Sequence, residues 1–209
     1  HQHGLGTVAF DNSCRPAVQE ELLRGVAMLH SFYYTAGAQA FEDVLAKDET
    51  CAIAAWGLAS ILMANPLQGV GASPADVPRA QLAIEKGRAI GARTERERDY
   101  IEAVAAYYAD FASHSESERQ VARAAAYEKL AAKYPTDDEA QIFWALYLAA
   151  TQRPADQTYA AWLKAAELLE PQFLKYPNHP GAAHYLIHSY DAAPIARRGL
   201  AAARRYAEI

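Results

Sequence analysis

Four short polar breaks punctuate this chain at nearly equal intervals: Lys47-Asp48-Glu49, Ile90-Gly91-Ala92, Lys133-Tyr134-Pro135 and Lys175-Tyr176-Pro177. Measured at Asp48, Gly91, Pro135 and Pro177, the steps are 43, 44 and 42 residues. A steady period in this range is the mark of stacked helix pairs, because one hairpin leaves an apolar face bare and covers it only against the next hairpin. Alanine dominates the runs on either side of each break, and Val, Ile and Thr are sparse. Ala loses no side-chain entropy in a helix whereas β-branched residues do, so the runs read as helix and not strand. The expected fold class is all-α, an α-solenoid of about five stacked helical hairpins.

Helices are expected near 16–31, 35–47, 51–64, 75–91, 94–111, 116–134, 137–151, 156–176, 180–190 and 194–208. Residues 1–15 form an N-terminal extension, and 16–209 the repeat domain. Pro16, Pro74 and Pro180 suit a first helical turn, where the missing N–H costs nothing. Ser73 and Thr136-Asp137-Asp138-Glu139 supply caps and acids at helix starts. The longest irregular stretch, Asn65 to Ser73, holds Pro66, Gly69 and Gly71 and is expected as a surface loop within one hairpin. The final run spaces Leu200, Ala203 and Ala207 as an apolar stripe and reaches Ile209 without a capping signal. That pattern leads to the expectation that the natural chain continues, or that another chain covers this end.

A net charge of -5 and the absence of any Lys/Arg block argue against a nucleic-acid partner. Arg197, Arg198, Arg204 and Arg205 read as the charged face of one helix. No apolar run approaches the ~20 residues a membrane span needs. The sequence starts at His1 without a signal-like segment, as a processed secreted protein or a trimmed or tagged chain would. Cys14 lies just before the first helical run and Cys51 opens the third. In stacked hairpins the first helices of neighbouring units run parallel, so these two starts lie close. A disulfide is then geometrically possible and worth about 3–4 kcal/mol by loop closure; two buried free thiols are the alternative. The bonded form goes with an oxidising compartment, periplasmic or secreted.

The unit joints "AFEDVLAKDETCAIAAWGLA", "YEKLAAKYPTDDEAQIFWAL" and "FLKYPNHPGAAHYLIHSY" resemble those of the tetratricopeptide-repeat (TPR) family, and Gly25, Gly37 and Phe41 fall at that family's spacing in the first unit. The resemblance covers nearly the whole chain but departs in period, the family's unit being several residues shorter. "SC…VQEELLRGVAMLHSFYY…AFEDVL…CAIAAWGLA…NP" and "HPGAAHYLIHSYD" are similar to a group of secreted bacterial TPR proteins, which tend to be longer and to carry further His-rich motifs. The resemblance implies a concave face that binds a protein or peptide ligand.

The histidines are the one concentrated chemical signal. His184 and His188 are four apart on one helix face, and Asp191 is seven past His184 on the same projected face. Two imidazoles and a carboxylate converging can ligate a first-row metal, with Cu, Zn and Ni the candidates. His179 sits in the preceding turn. Aligning Pro177 with the exit proline of the family it resembles puts Ala183, Leu186 and Tyr190 inward and His184, His188 and Asp191 on the concave groove, where they either hold metal, polarise a peptide groove, or have no role. His1 and His3 form a second candidate, since a free amine with His at position three wraps Cu(II) or Ni(II) in a square plane; a tag or a disordered tail is the bland alternative. Four repeats are expected to hold this end tens of Å from His184. His30 reads as a helix-end histidine and His114 as a loop histidine. Tyr33-Tyr34 and Tyr107-Tyr108 read as contacts between hairpins.

No Gly-x-Ser-x-Gly, phosphate loop or dinucleotide glycine pattern is present. Repeat arrays offer an extended concave surface and no inherent chemistry, so the leading expectation is a protein-binding scaffold, with enzymatic activity left open. A metal-binding or metal-dependent secreted protein is the runner-up, and a subunit of a larger envelope assembly the third.

Overall fold

A computed structural model describes residues 4–192 and 194–209. Among the described residues there are ten α-helices and no strand: α1 (Gln19–His30), α2 (Tyr34–Lys47), α3 (Ala52–Ile61), α4 (Asp76–Ile90), α5 (Glu95–Tyr108), α6 (Glu116–Lys133), α7 (Asp138–Ala149), α8 (Ala160–Lys175), α9 (Pro180–Ser189) and α10 (Leu200–Glu208). Consecutive helices pair into five hairpins. The chain is an all-α helical repeat array.

The helix ends follow local chemistry. Thr94 and Asp137 accept from backbone N–H groups in the first turns of α5 and α7, and Ser115 and Glu118 cap α6 reciprocally. Gly91, at φ 71°, closes α4 in the left-handed region that a Cβ disfavours. The eighth helix starts four residues later than expected. Asp156 Oδ1 accepts from Thr158 N at 2.9 Å, an Asx turn that competes with helix, and Tyr159 stands at φ 54° before Ala160. The last run is divided as well, with a 3-10 turn at Ala196–Gly199 preceding α10.

The odd-numbered helices form the inner layer, with α1 against α3, α3 against α5 and α7 against α9. Every residue of α3 is buried, which explains its lack of a polar face. Phe41 of α2 fits between two glycines: a Cβ at Gly25 would come within 2.9 Å of its ring, and one at Gly57 within 2.3 Å. Small residues where helices cross admit the large ring and bring the axes together.

Two findings overturn the picture of an open arc. First, α1 also packs on α9, so the first and last hairpins meet. Second, the extended N-terminal segment runs across the inner helices. Phe10 stacks on Trp56 with centroids 5.2 Å apart, Arg96 donates to Asp11 O at 2.6 Å, and Thr7 N donates to Asn178 O at 2.9 Å. The expected separation of the two ends by tens of Å is therefore wrong; an array that closes in five units returns its end to its beginning. Trp56, Tyr127, Phe143 and Tyr147, all essentially inaccessible, fill the interior with aromatic rings.

Cys14 and Cys51 lie with Cα atoms 4.8 Å apart and their sulfurs at bonding distance. Beside them the buried Asp48 carboxylate accepts from Arg15 N and Thr50 N, tying the two helix starts together. The apolar stripe of the last helix is not the expected one. Ala202 is buried and Tyr206 faces α9, whereas Leu200 and Ala207 are exposed, because the intervening 3-10 turn rotates α10 about its axis.

Candidate metal centre

Helix α9 begins at Pro180, pre-set for a first turn, and carries Ala183, Leu186 and Tyr190 into the core as its register requires. The neighbouring face holds His184 and His188, one turn apart, with their Nε2 atoms 3.1 Å from each other. His184 Nδ1 lies 2.7 Å from the backbone O of His30. A carbonyl oxygen only accepts, so His184 carries its proton on Nδ1, and its Nε2 lone pair accepts from the Nε2–H of His188, a proton that moves to Nδ1 of His188 when that ring ligates a metal. Phe32 and Tyr206 flank the His184 ring at 4.6 and 4.9 Å. Burial pushes His184 down to about 4, and burial also lowers His188, against the opposing charge of Asp191. Both rings are therefore neutral at pH 7, the form in which imidazole ligates metal.

These two rings do not line an open groove, as the repeat register suggested; both are half-buried, and Phe32 and Tyr206 of α10 cover the His184 ring. Asp191 is exposed, and the helix has ended before it, since Tyr190 leaves helical geometry at φ -107°, ψ 12°. The seven-residue projection from His184 fails for that reason. Asp191 does not join the two histidines in a group of three ligand atoms within 4.8 Å among the described residues. His1 and His3 lie outside the described residues.

His179 belongs elsewhere. It caps α9, with Nδ1 accepting from Gly181 N at 3.0 Å and Ala182 N at 3.2 Å. Its Nε2 meets Glu139 Oε1, and the other carboxylate oxygen is 2.7 Å from Nε2 of His30. His30 Nδ1 in turn lies 2.8 Å from Tyr185 OH. All three charged or chargeable members are buried, and their ligand atoms lie within 4.8 Å of one another. Two histidines and a carboxylate are a familiar metal set, yet the tautomer speaks against it. With Nδ1 accepting two N–H groups, His179 must carry its proton on Nε2, where a metal would need the lone pair. The cluster is a carboxylate held by two imidazole N–H donors. Glu139 stays well below the usual carboxylate range despite burial, which alone would raise it, because His179 and His30 stabilise its charge. Burial lowers His30. The position of Glu139 in the first turn of α7 adds the favourable end of the helix dipole.

A cavity of about 330 Å³ lined by Thr7, Asp138, Glu139, Lys175, Tyr176 and His179 opens on this cluster. His30 was the residue that sequence reasoning undervalued. It sits at a helix end as expected, but fully buried, bridging α1 to α7 and α9. Its partners lie 109 and 155 residues away, so no local pattern carried the signal. His114, by contrast, is an exposed loop residue near Glu118. Tyr107 and Tyr108 are buried between hairpins, whereas Tyr33 is largely exposed. No family model, no curated protein and no solved structure matches the chain. No helix of the described residues is long and apolar enough to cross a membrane.

Proposed function

We propose that this protein binds a first-row transition metal, Cu, Zn or Ni, through the paired Nε2 atoms of His184 and His188. One observation carries the reading: the His30 carbonyl fixes the His184 proton on Nδ1 and so aims a bare Nε2 at a second imidazole nitrogen 3.1 Å away. Metal-ligating histidines are commonly held this way, by a backbone acceptor on the other ring nitrogen. Asp191, just past the helix end, lends its negative charge to the His188 side of the site without standing at ligand distance from both rings, and the remaining positions are left to solvent or a small ligand in this proposal. The helical array is the rigid frame, of tetratricopeptide type by the joints and the Gly25–Phe41–Gly57 crossing. The bonded geometry of Cys14 and Cys51 is compatible with a periplasmic or secreted protein.

The scaffold reading has less in its favour. An extended peptide site needs a free concave face, and aromatic rings and residues 5–13 occupy that face here. A partner protein would have to dock on the outer helices.

Trace-metal analysis of the native protein and titration of metal-free protein with Cu(II), Zn(II) and Ni(II) test the proposal. About one metal per chain, lost in His184→Ala, is the expected result. No binding at 100 µM free metal on the order of a thousandfold above a typical site's needs would sink it.

A further inference from the structure

Arg123 projects from α6 into the core and is 1% exposed. A buried charge is costly unless it is paired. Arg96, also largely covered, obeys that rule: it makes two bonds to Asp137, at 2.6 and 3.2 Å, and a third to Asp11 O. Arg123 does not. Its Nη1 reaches only the Met63 sulfur at 3.4 Å, a weak acceptor. The ring faces of Tyr107 and Tyr147 lie 5.0 and 4.3 Å from its Cζ, which offsets part of the desolvation but satisfies no N–H. Nε and Nη2 are both buried without a hydrogen-bond partner.

Those two nitrogens form one edge of the guanidinium, the fork that matches two oxygens of a carboxylate or phosphate. The nearby acid, Glu116, is committed to Tyr107 OH, Arg119 and Gln120. The irregular Asn65–Ser73 stretch brackets the site. Met63 precedes it and touches the guanidinium, and Ala72 N donates to Tyr107 OH at 3.0 Å. Between these anchors, Gly69 and Gly71 adopt φ of 70° and 77°, and Val70 is 76% exposed. A loop fastened at both ends with glycines at its tip can swing open over a group enclosed beneath it.

We infer that Arg123 anchors a binding site for a small monocarboxylate, admitted beneath the Asn65–Ser73 loop. One buried guanidinium supplies one positive charge. A singly charged, planar anion balances it, whereas a phosphate dianion would leave buried negative charge.

Formate and acetate are the probes, with sodium chloride at matched ionic strength and phosphate as controls. The expected result is a saturable rise in Tm and a calorimetric isotherm with formate or acetate that chloride does not reproduce. Arg123→Lys keeps the charge and loses the fork, and should bind at least tenfold more weakly. Arg123→Met should fold, by circular dichroism, and lose the response. Should that variant fail to fold, the lysine variant and line broadening of ¹³C-formate by the wild-type protein still decide. Wild-type protein that responds no more to carboxylates than to chloride overturns the inference, as does a response retained in Arg123→Lys at full strength. Tighter binding of phosphate than of acetate overturns the ligand class.

Discussion

Two histidine clusters lie side by side in this molecule, joined through one residue, and they are suited to opposite tasks. In the His30–Glu139–His179 cluster, backbone N–H groups occupy Nδ1 of His179, so its Nε2 carries a proton and serves a buried carboxylate. In the His184–His188 pair, a backbone carbonyl occupies Nδ1 of His184, so its Nε2 is bare. The difference is not in residue type but in what the far side of each ring meets. A donor there makes a structural hydrogen-bond node, and an acceptor there makes a metal ligand. His30 serves both, its ring in the first cluster and its carbonyl in the second.

The largest expected effect is on the structural side. Glu139→Ala removes the common partner of two buried imidazoles and should cost about 3–5 kcal/mol, read as a lower urea midpoint. Metal affinity of whatever fraction remains folded should change little. A Glu139→Ala protein as stable as the parent would dissolve the distinction between the clusters.

The metal side is next. His184→Ala should weaken metal binding by at least ~100-fold, about 2.7 kcal/mol, whereas His179→Ala should lower stability and leave metal affinity within a few-fold. Equal loss of metal from both variants would show that the two clusters act as one site.

Acid sharpens the comparison further. His184 is held neutral in the fold and takes its proton only near pH 4, while the unfolded chain takes it near 6.5. The unfolded state therefore binds more protons between these values, and stability falls as pH drops through that window. Metal-free protein should lose about 2 kcal/mol between pH 7 and pH 5 from this group, an upper figure because the ring is not wholly enclosed. Glu139, whose folded value is depressed, adds its loss only below the usual carboxylate range. His184→Asn should flatten the upper part of the profile and leave the lower part. A pH 5–7 slope unchanged in that variant would place the titration elsewhere.

The smallest effect concerns the carboxylate beside the pair. Asp191→Asn should reduce metal affinity by only about two- to threefold, in keeping with loss of a nearby negative charge and not of a ligand. No change on titration would leave the pair of imidazoles without it.

Much of the architecture was legible because it is local. The breaks near Asp48, Gly91, Pro135 and Pro177, the caps at Asp137 and Ser73, and the prolines at helix starts each act within a few residues, so helix number and order follow from the sequence. Helix α8 was read too long because the Asx turn at Asp156 and the left-handed Tyr159 interrupt an otherwise helical composition. The His184–His188 spacing was equally local, set by 3.6 residues per turn. Asp191 was misplaced because the same period was carried past the end of the helix.

The sequence by itself determined the all-α hairpin array, the inward register of Ala183, Leu186 and Tyr190, and the shared face of two histidines. Only the tertiary structure decided how tightly the array curls, and that curl set everything long-range. It brought α1 against α9, filled the concave face with the N-terminal segment and aromatic rings, and put Glu139 between His30 and His179. It also placed the His30 carbonyl behind His184. Curvature is the sum of small rotations at every hairpin contact, each depending on which side chains meet across it, such as Phe41 between Gly25 and Gly57. No single stretch of sequence contains that sum, and the proton positions on the histidine rings follow from it.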